Sequence, residues 1–224
     1  MNDLSVVIPL YQAGPWVRDA ISSVLERADG LREIVVVDDG STDDGPEIAR
    51  SFGDPVRVLS QANAGPAAAR NAGIAAATGD VLGFLDADDF WLAGVPDPRR
   101  PLLAEADVVC GLTQPVLAAP GEQPRPYRWA TTGLWLGALL MRRSVVDRWG
   151  AIDPALTYSE DVDWLLRLRE AGARIATVDA ITHGYRMRPG SLTRDRAATD
   201  RGLASALAAS LRRRGVLGQG GDAA

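Results

Sequence analysis

Four short, nearly uninterrupted apolar runs mark the first part of the chain: "LSVVIP" over 4–9, "EIVVVD" over 33–38, "VRVLS" over 56–60 and "VLGFLD" over 81–86. β-Branched residues dominate them. They lack the in-and-out alternation of a half-exposed strand, so they predict strands covered on both faces. The segments between them can be helical. The first helix is signalled by Gly14-Pro15 and is apolar at Trp16, Ala20, Ile21, Val24 and Leu25. Proline suits a first turn because the N–H it lacks would have no partner there. A second helix is expected from Pro46, after "GSTDDG", with Ser41, Thr42 or Asp43 as N-cap. A third starts at Pro66 in "PAAARNAGIAAA" and ends by Gly79. This alternation predicts an α/β domain, a mostly parallel Rossmann-like central sheet flanked by helices.

Beyond Trp91 the pattern loosens. Residues 113–132 hold four prolines and predict a long loop. Order returns in "LWLGALLMRRSVVDRWG", then in a helix near 160–171 and a strand at "ARIATVD". The stretch 203–215, "LASALAASLRRRG", reads as a C-terminal helix with a basic end, and the Gly-rich tail after it is expected to be disordered.

Composition narrows the chemistry. With 224 residues and 46% hydrophobic content, a substantial core is expected without covalent staples. The one cysteine, Cys110 in "ADVVCG", excludes a disulfide framework, suits a reducing compartment and reads as a buried, inert thiol. A net charge of -5 argues against nucleic acid as the partner. All 24 basic residues are arginine, which removes Schiff-base lysines and the Walker-type lysine from consideration. No leader is visible and no apolar run approaches the ~18 residues of a membrane span, so a soluble, cytoplasmic chain is expected. The basic C-terminal helix leaves room for peripheral contact with the inner face of an anionic membrane, although a solvated helix end is the simpler reading.

In a sheet of this kind ligands lie beyond the carboxyl ends of the strands. Three of those ends carry polar turns: Pro9 to Gln12, Asp38-Asp39-Gly40-Ser41, and Asp86 to Asp89. The second offers carboxylates to a base or ribose. In the third, Asp86 and Asp88 alternate around Ala87 and can both turn toward a divalent cation; hard oxygens suit Mn²⁺ or Mg²⁺, which a diphosphate would share. Each also has a purely structural reading as a capped turn. Further on, "YSEDVDWLLRL" puts Glu160, Asp161 and Asp163 at a helix start, where Thr157 with Glu160 also fits a capping box.

Taken in order, "SVVIPLYQ", "VVVDDGSTDDG", "NAGPAAARNAGIAAATGDVLGFLDADD", "LLMRRSVVDRWGAIDPAL" and "SEDVDWLLRLREAG" resemble the family 2 inverting glycosyltransferases of GT-A fold, over residues 4 to about 194. The resemblance implies transfer of a sugar from a nucleotide diphosphate donor, UDP first and GDP or dTDP next, to a glycan, lipid-linked or small-molecule acceptor, using Mn²⁺ or Mg²⁺. It implies a GT-A domain over 1–196, with a nucleotide-binding half of about 1–90 and an acceptor and base half of about 91–196, followed by a C-terminal helix and flexible tail over 197–224. Carried onto this chain, Pro9, Tyr11 and either Asp38 or Asp39 hold the nucleoside, and Asn63, Gly65 and Arg70 approach base and diphosphate. Asp88 is the first choice for direct metal ligation, with Asp86 beside it on the ribose or a metal-bound water. Asp161 matches the catalytic base, with Glu160 beside it. A base at a helix N-terminus is expected to ionise easily. Trp135 and Gly137, with Trp91 and Trp129 nearby in motif order, are acceptor-side candidates, each tryptophan with a core reading ahead of it. In "THGYRMRPGSLTRD" the closing segment carries Arg186 and Arg188 as candidate phosphate partners. Arg188 stands where many members have His, and His183 reads as a core or loop histidine.

Two other readings compete. A sugar nucleotidyltransferase would need a Gly-rich, Arg- or Lys-bearing phosphate loop after the first strand, which "IPLYQAGPW" lacks. A catalytically silent nucleotide-sugar-binding module would use the same fold without turnover. A Rossmann dehydrogenase fails because no G-x-G-x-x-G follows the first strand. The sequence carries no signal for oligomeric state.

Overall fold

The apolar runs become strands of one nine-stranded sheet in the computed structural model, which describes residues 3–131, 135–156, 158–188 and 196–217. In chain order, β1 (Leu4–Leu10), α1 (Gly14–Arg27), β2 (Leu31–Asp38), α2 (Gly45–Arg50), β3 (Val56–Ser60), α3 (Pro66–Ala76) and β4 (Val81–Phe84) build the first half. Its strands lie in the order β3-β2-β1-β4, every ladder parallel. Strand order reverses at β1, because β4 returns to the side away from β2, and such a reversal opens a crevice at the carboxyl ends.

The continuous apolar runs have a two-sided cause. Val6, Ile8, Ile34 and Val36 share a core with Val17, Ile21 and Val24 of α1, whereas Val7 joins Ala67 and Ile74 of α3 on the other face. Burying each such Val or Ile contributes roughly 1.5–3 kcal/mol relative to exposure.

The second half is mixed. It comprises β5 (Phe90–Trp91), β6 (Val108–Leu117), β7 (Arg125–Pro126), β8 (Leu139–Arg142), α4 (Ser144–Trp149), α5 (Glu160–Glu170), β9 (Ile175–Arg186) and α6 (Arg196–Arg213). The sheet continues β4-β8-β6-β9-β5, with β8 antiparallel to both neighbours and β6 parallel to β9.

Three expectations change here. The loop predicted over 113–132 is partly strand: β6 runs on to Leu117, Thr113 bridges Thr131, and β7 pairs back onto β6. Pro115 fits because proline forfeits only a donor, and its carbonyl accepts the Tyr127 N–H at 2.8 Å. The strand at "ARIATVD" extends to Arg186 because β6 offers a parallel partner from Val108↔Ile175 to Val116↔Arg186. The C-terminal helix begins at Arg196 and packs on α5, with Arg213 on Asp163 (3.0 Å) and Glu170 (2.6 Å). Residues 218–224, where the tail was expected, lie outside the described residues.

The predicted caps also move. Asp44 is the N-cap of α2, with no side-chain cap bond. Asp43 reaches across instead, accepting the Gly14 N–H (2.7 Å) at the head of α1 and the Gly45 N–H (3.2 Å). Thr157 lies outside the described residues. Ser159 is the N-cap of α5 and Glu160 its first residue.

Candidate active site

The parallel ladder places the first two polar turns side by side. The Asp39 N–H donates to the Leu10 carbonyl (2.8 Å) and the Gln61 N–H to the Asp38 carbonyl (2.9 Å). Asp38 is buried and accepts the Ser41 N–H at 2.8 Å. Asp39 is also buried, and its carboxylate accepts from Gln61 Nε2 (2.7 Å) and from the Ala64 (2.9 Å) and Gly65 (2.8 Å) amides. Gly65 has φ +87°, a left-handed value that aims both amides at Asp39 just before α3. Asp39 therefore fastens the 61–65 loop, which presents Asn63 to solvent. Tyr11 is half exposed at the end of β1, with Pro9 partly buried within that strand.

The acidic turn follows β4. The Leu85 N–H donates to the Val7 carbonyl and the Asp89 N–H to the Asp86 carbonyl at 3.0 Å, closing it. Arg70, buried on α3, donates Nη2 to Asp86 Oδ1 (2.7 Å) and Nη1 to Glu160 Oε1 (2.6 Å). Burial opposes the Arg70 charge, but Asp86 and Glu160 outweigh it and raise the guanidinium pKa above its ordinary value. Burial likewise works against an ionised Asp86, and Arg70 more than offsets it, holding that carboxyl below the usual range. The bridge fastens the head of α5 to the acidic turn after β4.

Asp161 comes next on α5, its Oδ1 accepting the Val162 N–H at 2.8 Å. The expectation of easy ionisation is reversed. Burial, reinforced by the Glu160 carboxylate and only partly offset by Arg70, pushes Asp161 up to about 6. A carboxylate of that basicity sits closer to the range suited to accepting a proton near neutral pH.

Asp88 accepts Arg188 Nε at 2.5 Å. Arg186, expected to face phosphate, is fully buried between Trp16 (4.5 Å) and Phe90 (4.1 Å). It donates to the Asp88 (2.8 Å), Ala118 (2.9 Å) and Ala119 (3.1 Å) carbonyls and to Asp19 (3.0 Å). With those acceptors in place it cannot reach a ligand, and its role is to hold the Asp88 backbone. Gly137 is also corrected. It is buried, and a Cβ there would stand 2.5 Å from His183 Nε2, so packing against the imidazole explains it. Trp91 is core, donating Nε1 to the Gly137 carbonyl (3.2 Å). Trp135 packs on Tyr185 with centroids 5.0 Å apart, and Trp129 is 91% exposed.

Sequence reasoning missed the truss beneath the acidic turn. Asp89 is buried and accepts the Arg186 N–H (2.8 Å), and it pairs with His183 Nε2 (3.0 Å), whose Nδ1 meets Thr113 Oγ1 (3.2 Å). Burial, partly countered by His183, pushes Asp89 up to about 7. Its one sequence signal is the third acid of "DADD"; its partners lie 94 and 97 residues away.

Asp86 and Asp88 supply two hard-oxygen side chains, 48% and 20% exposed. Among the described residues no group of three His, Cys, Asp or Glu gathers to hold a cation alone. This donor set fits Mg²⁺ or Mn²⁺ that shares its shell with substrate phosphates, not an all-protein cage.

Comparison with known proteins agrees with this architecture. The model of Glycosyl transferase family 2 matches residues 5–159. EpsJ of Bacillus subtilis, an uncharacterised glycosyltransferase, is 29% identical over 218 residues, covering 85% of this chain and 62% of EpsJ. YibD of Escherichia coli K12, likewise uncharacterised, is 47% identical over 91 residues, 39% of this chain and 26% of YibD. The chain thus spans less than two thirds of either relative. S. aureus TarS 1–349, solved with UDP-GlcNAc, superposes with a TM-score of 0.69 at 20% identity, covering 84% of this chain and 60% of that one, and shows the same GT-A fold.

Proposed function

This chain belongs to glycosyltransferase family 2, and we propose that it transfers a sugar, with inversion, from a nucleotide diphosphate donor to an acceptor hydroxyl. One observation carries the proposal: Arg70 ties Asp86 of the acidic turn to Glu160 beside Asp161, so the turn whose carboxylates would receive a metal and diphosphate is linked to a carboxylate of raised pKa. Asp38, Tyr11 and Asn63 border the nucleoside end, with Asp39 and Gly65 as the scaffold of that border. UDP is the first donor to test, because TarS binds UDP-GlcNAc and UDP on the same fold.

Asp88 and Asp86 would hold Mn²⁺ or Mg²⁺. When bound, the ion would neutralise charge on the leaving diphosphate. Asp161 accepts the acceptor hydroxyl's proton from the opposite side, and Glu160, tied to Arg70, keeps the helix head in place. Trp135 on Tyr185 and exposed Trp129 offer aromatic faces for a glycan or lipid-linked acceptor. Among the described residues no helix is long and apolar enough to cross a membrane.

The test is a thermal-shift series with UDP, GDP, dTDP and their sugars, each with Mn²⁺ and with EDTA. A bound donor must raise the melting temperature, by about 2.7 kcal/mol of stability at a hundredfold excess over Kd. Asp161→Asn should keep that shift and lose transfer. No shift with any nucleotide would remove the donor site from the proposal.

A further inference from the structure

We propose that Arg188 competes with the metal ion for the Asp88 carboxylate, occupying that ligand in the donor-free protein and moving to the donor diphosphate once a cation takes its place. The inference rests on the donor reading above. Its basis is the contact itself: Arg188 Nε lies 2.5 Å from Asp88 Oδ2, so the carboxylate a cation would bind already carries a positive partner, with both side chains about three-quarters buried or more.

The surroundings decide which partner moves. The Asp88 backbone is fixed, because Arg186 holds its carbonyl at 2.8 Å and Asp89 is fastened to the Arg186 N–H. Arg70 cannot leave Asp86 easily, being buried and bridged to Glu160. Arg188 is the partly exposed cation, two residues beyond the end of β9. The charge balance points the same way. Asp86, Asp88, Glu160 and Asp161 outnumber Arg70 and Arg188, so an arriving diphosphate deepens the negative excess and calls for both an ion and a freed guanidinium. A guanidinium binds phosphate oxygens as readily as a carboxylate. Metal and nucleotide binding should therefore be coupled, each strengthening the other.

The experiment is a Mn²⁺ titration of the full chain, followed by electron paramagnetic resonance of free Mn²⁺, for wild type, Arg188→Gln and Arg188→Lys, without and with UDP. Without UDP, Arg188→Gln should bind Mn²⁺ about tenfold tighter than wild type, while Arg188→Lys, keeping the charge, stays within about threefold of it. Raising the salt to about 0.5 M should narrow the gap, since the pair is partly screened. With UDP, the advantage of Arg188→Gln should shrink, because the diphosphate has lost its guanidinium. Equal Mn²⁺ affinity in wild type and a folded Arg188→Gln, or Mn²⁺ binding to neither, overturns the proposal. A UDP thermal shift in wild type alongside either result leaves the donor site standing; loss of that shift removes the reading beneath it.

Discussion

Asp161 carries a stability cost that the proposed role of base would put to use. Its folded pKa of about 6 lies above the ordinary 3.8. The charge is therefore tolerated fully only in the unfolded chain, and the cost is absent below pH about 4 and complete above pH about 6. Asp161→Asn should raise stability at pH 7.5 by about 1–3 kcal/mol, toward the low end because the residue is partly exposed, and the gain should vanish near pH 4; chemical denaturation at both pH values measures it. For the wild type, transfer rate should fall as pH drops through about 6, and a flat profile down to pH 5 would remove Asp161 as the base. Gly137 is the second informative residue. Gly137→Ala would drive a methyl group into the His183 ring, and overpacking of this kind costs about 1–3 kcal/mol. The loss should appear as a lower melting temperature, together with weaker Mn²⁺ binding as the truss under Asp88 shifts.

Among the elements, β9 contributes most to the site beyond the sequence motifs. Its last residues reach the acidic turn through β5, which pairs Phe90 with Gly184 and Trp91 with His183. That pairing delivers Arg186 to the Asp88 carbonyl and Asp19, and His183 to Asp89. Arg186→Met keeps the length of the stem but removes the guanidinium from Asp19 and three carbonyls, of which Asp19 keeps the Gly121 N–H and Ala119 the Glu122 N–H. Removing one partner of a buried ion pair costs about 3–5 kcal/mol, so urea midpoints should fall accordingly; a change under about 1 kcal/mol would show that the aromatic sandwich, not the hydrogen bonds, holds this residue. The hairpin of β6 and β7 was hidden by its prolines, which read as loop until a partner strand supplied the remaining hydrogen bonds.

At the scale of the whole molecule, the sheet divides its work between its two ends. The carboxyl ends gather acids, while near the amino ends the buried Glu33 holds elements together. Glu33 accepts from Ser5 Oγ (2.8 Å), the Thr78 N–H (2.7 Å), Thr78 Oγ1 (2.6 Å) and Arg57 (2.6 Å). Burial opposes its ionisation, but these donors outweigh it and hold Glu33 down to about 2 from an ordinary 4.5. A depressed pKa contributes stability that is present above pH about 4.5 and lost as pH falls toward 2. Glu33→Gln should destabilise the protein by about 2–3 kcal/mol at pH 7, and the deficit should close as pH falls toward 2; urea unfolding at pH 7, 5 and 3 checks both parts.

The sequence by itself determined the order of strands and helices in the first half, the strand ends at which acids collect, and the motif order that marks the family. Those are local properties: β-branched runs, a proline at each helix start and Asp at each turn act over a few residues, and hydrophobic burial on both faces leaves the strands no other place. Only the tertiary structure decided which acid serves as scaffold and which faces the crevice. Asp39 is satisfied by amides 25 and 26 residues away, Glu160 by Arg70 across 90, Asp89 by His183 of β9 across 94 and Asp88 by Arg188, just past β9, across 100. A carboxylate's pKa and availability depend on which donors and charges fold against it, and spacing along the chain carries no record of those partners.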